Sequence, residues 1–103
     1  MSFFQNLFGN APKEDLTDLI ANGAFLVDVR EPSEFASGSV KGAINIPLGS
    51  VSNNLSQFKG KPSVIVFCRS GNRSGQAKSI LDQNGIAHVV NGGTWENVQN
   101  HVK

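Results

Sequence analysis

At 103 residues the chain is expected to form one domain around a single core, with no room for a second. Nine Lys and Arg nearly cancel eight Asp and Glu, which excludes a broad electrostatic surface for nucleic acid or lipid. One cysteine excludes an intramolecular disulfide framework, and with two histidines it forms no metal-ligand spacing; no metal or cofactor is expected, and a reducing, cytoplasmic compartment fits best.

Residues 1–12 read as an amino-terminal segment and 13–103 as the domain proper. Met1 to Gly9 lacks the basic region, long apolar stretch and small-residue cleavage site of a signal peptide. Phe3, Phe4, Leu7 and Phe8 share one helical face. Packing of this face onto the domain is favoured over a membrane-surface or partner-binding turn, so no membrane contact is expected. Pro12, Glu14 and Asp15 suit a first helical turn, and Leu16, Leu19 and Ile20 form an apolar stripe that ends at Asn22-Gly23.

Phe25 to Val29 reads as a strand with Asp28 and Arg30 at its carboxyl end. Asp28, set among apolar residues, must be paired if buried, which favours a bracing role for it over an ordinary strand-end position. For Arg30 the two readings weigh about equally. Pro32 to Ala36 is a short helix closed by Gly38, and Ala43 to Ile46 a short strand ended by Pro47. Val51, Leu55 and Phe58 have the spacing of a second covering helix.

Val64 to Phe67 is an uninterrupted apolar run, mostly β-branched or aromatic, as in a strand buried on both faces of a parallel sheet. It delivers Cys68 into the loop Arg69-Ser70-Gly71-Asn72-Arg73, and the apolar spacing of Ala77, Ile80 and Leu81 predicts a helix over Gln76 to Asn84, stopped by Gly85. The cysteine thus falls at the carboxyl end of a strand, facing a helix amino end, where open α/β sheets bind ligands. Taken alone, such a cysteine reads as an inert core residue. Two of the chain's three arginines beside it reverse that reading.

A free thiol is only about 3% ionised at pH 7. Backbone amides curled around the sulfur, with Gly71 allowing the curl and Arg69 and Arg73 adding positive charge, would lower its pKa and make it a nucleophile. Ala87 to Val90 reads as the last strand, Gly92-Gly93 as either a plain turn or an opening for substrate, and Thr94 as the N-cap of a helix over Trp95 to Val102. Alternating strands and helices imply an α/β domain with helices on both faces of a parallel sheet. Gly71 and Gly75 lack the spacing of a phosphate-binding glycine motif.

Four segments, in order, resemble the rhodanese family of sulfurtransferases: Leu26 to Glu31 with Glu34-Phe35, Gly42 to Pro47, Cys68 to Arg73, and Val90 to Gly93. The resemblance covers roughly residues 13 to 95. The resemblance implies a three-layer α/β/α domain with a four- or five-stranded parallel sheet, Cys68 as catalytic residue and Arg69, Ser70, Gly71, Asn72 and Arg73 as the substrate-binding loop. Asp28 and Arg30 would support that loop. Ser39 and Lys41 stand where the family often has histidine and proline, and Trp95 follows Gly-Gly early; both departures bear on packing and pocket shape rather than on the reaction.

Related phosphatases and arsenate reductases, as the same resemblance implies, place five residues between cysteine and arginine. Here there are four, a smaller cradle suited to one extra sulfur atom. The expected activity is therefore that of a thiosulfate sulfurtransferase. Sulfur would move from a small anionic donor through a Cys68 persulfide to cyanide, a thiol or a protein acceptor, with no nucleic-acid partner. The alternatives are a partner-dependent sulfur relay or binding module, a phosphatase or arsenate reductase, and a redox sensor, the last weakened by the lack of a second cysteine.

Overall fold

The computed structural model describes residues 15–102. The Phe-rich amino terminus and the expected helical turn at Pro12 lie outside the described residues. Helix α1 (Leu16–Ala21) is capped by the Asp15 carboxylate, which accepts from the Thr17 N–H at 2.9 Å. Strand β1 (Phe25–Asp28), helix α2 (Pro32–Ala36) and strand β2 (Ile44–Asn45) follow. After two 3₁₀ turns, Leu48–Asn53 and Leu55–Phe58, come β3 (Val64–Cys68), α3 (Asn72–Gln83), β4 (Val89–Thr94) and α4 (Trp95–Gln99).

The four described strands form one parallel sheet in the order β2-β1-β3-β4. From β1 the chain crosses to one side to make β2, then returns to the other side to make β3. That reversal puts the topological switch point between β1 and β3, whose carboxyl ends carry Asp28 and Cys68.

Alternation along β3 separates the two cores. Val64, Val66 and Cys68 pack with Ala77 and Leu81 of α3 and with Val51 and Phe58 of the 3₁₀ turns. Ile65 and Phe67 point the other way, toward Leu16, Val98 and Trp95 of α1 and α4. All five β3 residues are buried, as the apolar run requires, and the outcome is the expected three-layer α/β/α arrangement. No helix among the described residues is long and apolar enough to cross a membrane.

Several boundaries differ from the sequence reading. Helix α3 begins at Asn72 rather than Gln76, because its first turn is polar and carries no apolar periodicity. The expected helix over Val51 to Phe58 is two 3₁₀ turns, parted at Asn54 by a non-helical backbone with φ of −128°. Strand β4 starts at Val89, after His88 in a left-handed conformation at φ 57°. Gly92-Gly93 is not a turn but part of β4, where the pairing with β3 shifts by one residue in a bulge. A Cβ on Gly92 would fall 2.6 Å from Val98 Cγ2 and 2.9 Å from Ile65 Cγ2, so the strand comes closest to α4 where it has no side chain.

Candidate active site

Strand β3 ends at Cys68, and the chain turns at once into α3 through Gly71, which caps the helix with φ of +96°. A left-handed backbone there suits glycine and lets the loop fold back over the sulfur. The Gly71 N–H points at Cys68 Sγ from 3.0 Å, and the Ser74 hydroxyl lies 3.5 Å from the same atom. Cys68 is itself fully buried. Burial pushes the thiol up, but the Ser74 hydroxyl and the backbone N–H groups of Ser74, Ser70 and Gly71 outweigh it and hold the thiol at about 7. About half the sulfur is then thiolate at neutral pH.

The two arginines of the loop differ. Arg73, in the first turn of α3, donates to Glu34 through both terminal nitrogens, at 2.7 and 3.0 Å. Arg69 is exposed and makes no ion pair among the described residues. The hydroxyl and amides therefore act on the thiol ahead of the arginines. Ser70 is exposed and contributes its N–H to the sulfur, whereas Asn72 opens α3 on the exposed side.

Asp28 and Arg30 form a buried pair. The Asp28 carboxylate accepts from Arg30 through its backbone N–H at 2.9 Å and through Nη2 at 2.7 Å, and from the Ser39 hydroxyl at 2.6 Å. Arg30 Nη2 also donates to the Gly38 carbonyl at 2.6 Å, and its guanidinium lies over the Trp95 ring, 5.4 Å from the centroid. These bonds close the segment from β1 to Ser39 around α2, the helix that carries Glu34. They make no hydrogen bond to residues 69–73; the connection to the loop runs through Glu34 and Arg73. Ser39, a departure from the family pattern, is thus a ligand of the Asp28 carboxylate.

Beside the loop is a cavity of about 290 Å³, lined in part by Arg30, Glu34, Gly38, Arg69, Trp95 and Glu96. It presents cationic, anionic and aromatic groups together. Among the described residues no cluster of three or more His, Cys, Asp or Glu could hold a metal ion.

Sequence reasoning left three members of the site without a role. Ser74 is one: it shares the inward face of α3 with Ala77 and Leu81, and a hydroxyl on that face was the available signal. Glu34 was read only as part of a motif. Asn91, like Glu34 a motif residue with no assigned role, accepts from the Ser74 hydroxyl at 2.7 Å.

Residues 12–100 match the rhodanese-like domain as a family. The chain belongs to that family. It is 39% identical over 74 residues to thiosulfate sulfurtransferase PspE of Escherichia coli, covering 70% of this chain and 71% of that one. It is 38% identical over 68 residues to the uncharacterized protein YqhL of Bacillus subtilis, covering 66% of this chain and 54% of that longer relative. Among solved structures, a rhodanese with anions from E. coli superposes with a TM-score of 0.67 at 38% identity, over 72% of this chain and 89% of that one. Several of the relatives it resembles, PspE among them, are named sulfurtransferases.

Proposed function

We propose that this rhodanese-like protein is a thiosulfate sulfurtransferase that carries sulfur as a Cys68 persulfide. The observation that carries the reading is the cradle at Cys68 Sγ, with an N–H at 3.0 Å and a hydroxyl at 3.5 Å. The Cys68 thiolate attacks the outer sulfur of thiosulfate, a new S–S bond forms, and the old one breaks as sulfite leaves with its electron pair. Covalent catalysis divides one transfer into two easier steps. The persulfide anion takes up the fixed N–H dipoles that held the thiolate, so little reorganisation is needed. Cyanide or a thiol then attacks the outer sulfur and releases the Cys68 thiolate.

Arg69, exposed at the cavity, is the cation that draws in the anionic donor. Ser70, Gly71 and Asn72 shape the loop around the sulfur, and Arg73 holds its far end to Glu34. Asp28 and Arg30 support the loop at one remove, by holding the segment that presents Glu34. Cys68 is fully buried, so a donor reaches the sulfur only as the residues around it give way. An arginine committed to Glu34 and a gap of four residues both disfavour a bound tetrahedral phosphate.

Intact mass of the reduced protein after incubation with thiosulfate tests the reading. Gain of one sulfur, removed by cyanide and absent in Cys68→Ala, is the expected result. No gain while Cys68 still reacts with an alkylating reagent would overturn thiosulfate as donor and direct the search to protein persulfides.

A further inference from the structure

Asn91 lies outside the loop, on β4, yet its carboxamide touches three parts of the sulfur's surroundings. Oδ1 accepts from the Ser74 hydroxyl at 2.7 Å and from the Gly93 N–H at 2.9 Å, while Nδ2 donates to the Gly71 carbonyl at 3.1 Å. A donor on one side and a carbonyl on the other leave one orientation of the amide. The Ser74 hydroxyl, 3.5 Å from Cys68 Sγ, has one proton and two acceptors to serve.

Which acceptor wins depends on the charge of the sulfur. A neutral thiol accepts weakly, so the Ser74 proton stays on Asn91 Oδ1 and the S–H turns to Ser74 Oγ. A thiolate accepts a charge-assisted bond about twice as strong as a neutral one, and draws the Ser74 proton to itself. Asn91 Oδ1 then keeps the Gly93 N–H, so no acceptor is orphaned. Nδ2 holds Gly71 in both states, and with it the N–H that meets the sulfur.

We propose that Asn91 is a positioning residue for the sulfur chemistry, holding the Ser74 hydroxyl as a two-position switch between its own carboxamide and the Cys68 sulfur. The switch turns as the sulfur gains or loses negative charge. Its place in a catalytic cycle rests on the sulfur-transfer reading above, but its test reads ionisation alone. Asn91 competes with the sulfur for one proton and so favours the neutral thiol. Without Oδ1 the hydroxyl serves the sulfur throughout, and the thiol ionises at lower pH.

The test is the pH dependence of Cys68 alkylation by iodoacetamide in the native protein, Asn91→Ala, Ser74→Ala and the double variant. Asn91→Ala moves the midpoint down by roughly half a unit, about threefold more thiolate on the acid side. Ser74→Ala moves it up, and adding Asn91→Ala to Ser74→Ala no longer moves it down. A residue that merely steadies Gly71 would give the opposite sign, because loosening the Gly71 N–H raises the thiol. An unchanged or raised midpoint in Asn91→Ala, or an equal shift with and without Ser74, overturns the proposal. If that variant does not fold, Asn91→Asp decides: a charged acceptor holds the Ser74 proton more firmly, so the midpoint rises, and rises less when Ser74 is alanine. A midpoint at or below the native value, or a rise independent of Ser74, overturns the proposal. Failure of the native protein to take up sulfur would strike the functional reading instead and leave the ionisation result standing.

Discussion

Arg73 and Glu34, 39 positions apart in the chain, are joined by two hydrogen bonds of 2.7 and 3.0 Å. Glu34 Oε1 also accepts the Glu31 N–H at 3.0 Å, so one carboxylate caps the start of α2 and holds the first turn of α3. That turn carries the Ser74 N–H and hydroxyl and follows directly on the Ser70 and Gly71 amides aimed at the sulfur. Glu34→Gln keeps the shape and removes the charge. Persulfide formation in a single turnover is expected to slow roughly tenfold, as expected for a misplaced catalytic loop, with the circular dichroism spectrum unchanged. An unaltered rate would mean that Arg73 orders nothing.

The same pair sets an acid limit. The Arg73 hydrogen bonds, and after them the Glu31 N–H, bring the Glu34 carboxyl down from 4.5 to about 2. A carboxyl with a lowered folded pKa adds stability above its unfolded pKa and loses it as pH falls through the folded value. The stability difference between native protein and Glu34→Gln is therefore expected to shrink from about pH 5 toward pH 2. Urea midpoints measured across that range check it; a constant difference would count against the pair.

Cys68 gives the complementary profile near neutrality. With the thiol lowered from 9.0 to about 7, the rate of sulfur loading from thiosulfate is expected to rise with a single ionisation near pH 7 and level off above it. The unfolded thiol keeps its higher value, so between the two values stability also rises with pH. A loading rate that continues to climb through pH 8.5, the value of a free thiol, would show that the amides and the Ser74 hydroxyl do not act on the sulfur.

The strand, loop and helix around Cys68 were legible because their signals are local: an apolar run, a lone cysteine and two arginines within six residues. Asp28 could be suspected of pairing from its apolar neighbours. Its partner Ser39, and the Gly38 carbonyl that Arg30 meets, lie across a helix and could not be read from pattern. Glu34 meets Arg73 only because β1 and β3 are neighbours in the sheet, a consequence of strand order rather than of either residue's surroundings. Gly92-Gly93 looked like a turn because glycine pairs usually are. In the fold it is a bulge pressed under α4, where packing overrides local propensity. Val51, Leu55 and Phe58 do face the core, but spacings of four and three cannot tell an α-helix from two 3₁₀ turns meeting at Asn54.

The Asp28–Arg30 pair, with side chains 0% and 5% exposed, belongs to stability more than to chemistry. Removing one partner of a buried pair leaves the other charge uncompensated and typically costs about 3–5 kcal/mol. Asp28→Ala, which strands the Arg30 guanidinium, is expected to fall in that range by urea denaturation. Ser39→Ala, which takes away one hydroxyl donor while leaving the pair intact, should cost about 1 kcal/mol. Equal losses in the two variants would show that the ion pair carries no more than its hydroxyl ligand.

Gly92→Ala probes how the far core reaches the sulfur. The new Cβ would sit 2.6 Å from Val98 Cγ2 and 2.9 Å from Ile65 Cγ2, and both neighbours are fully buried, so neither can swing away into solvent. Overpacking of this kind costs about 1–3 kcal/mol. Relief requires β4 to move away from α4, and β4 carries Asn91 and Gly93 on either side of the bulge. That displacement stretches the bonds from Ser74 and Gly93 to Asn91 Oδ1. The expected result is lower stability together with a shifted alkylation midpoint for Cys68. Lost stability with an unmoved midpoint would show that the bulge serves packing alone and that the loop is insulated from it.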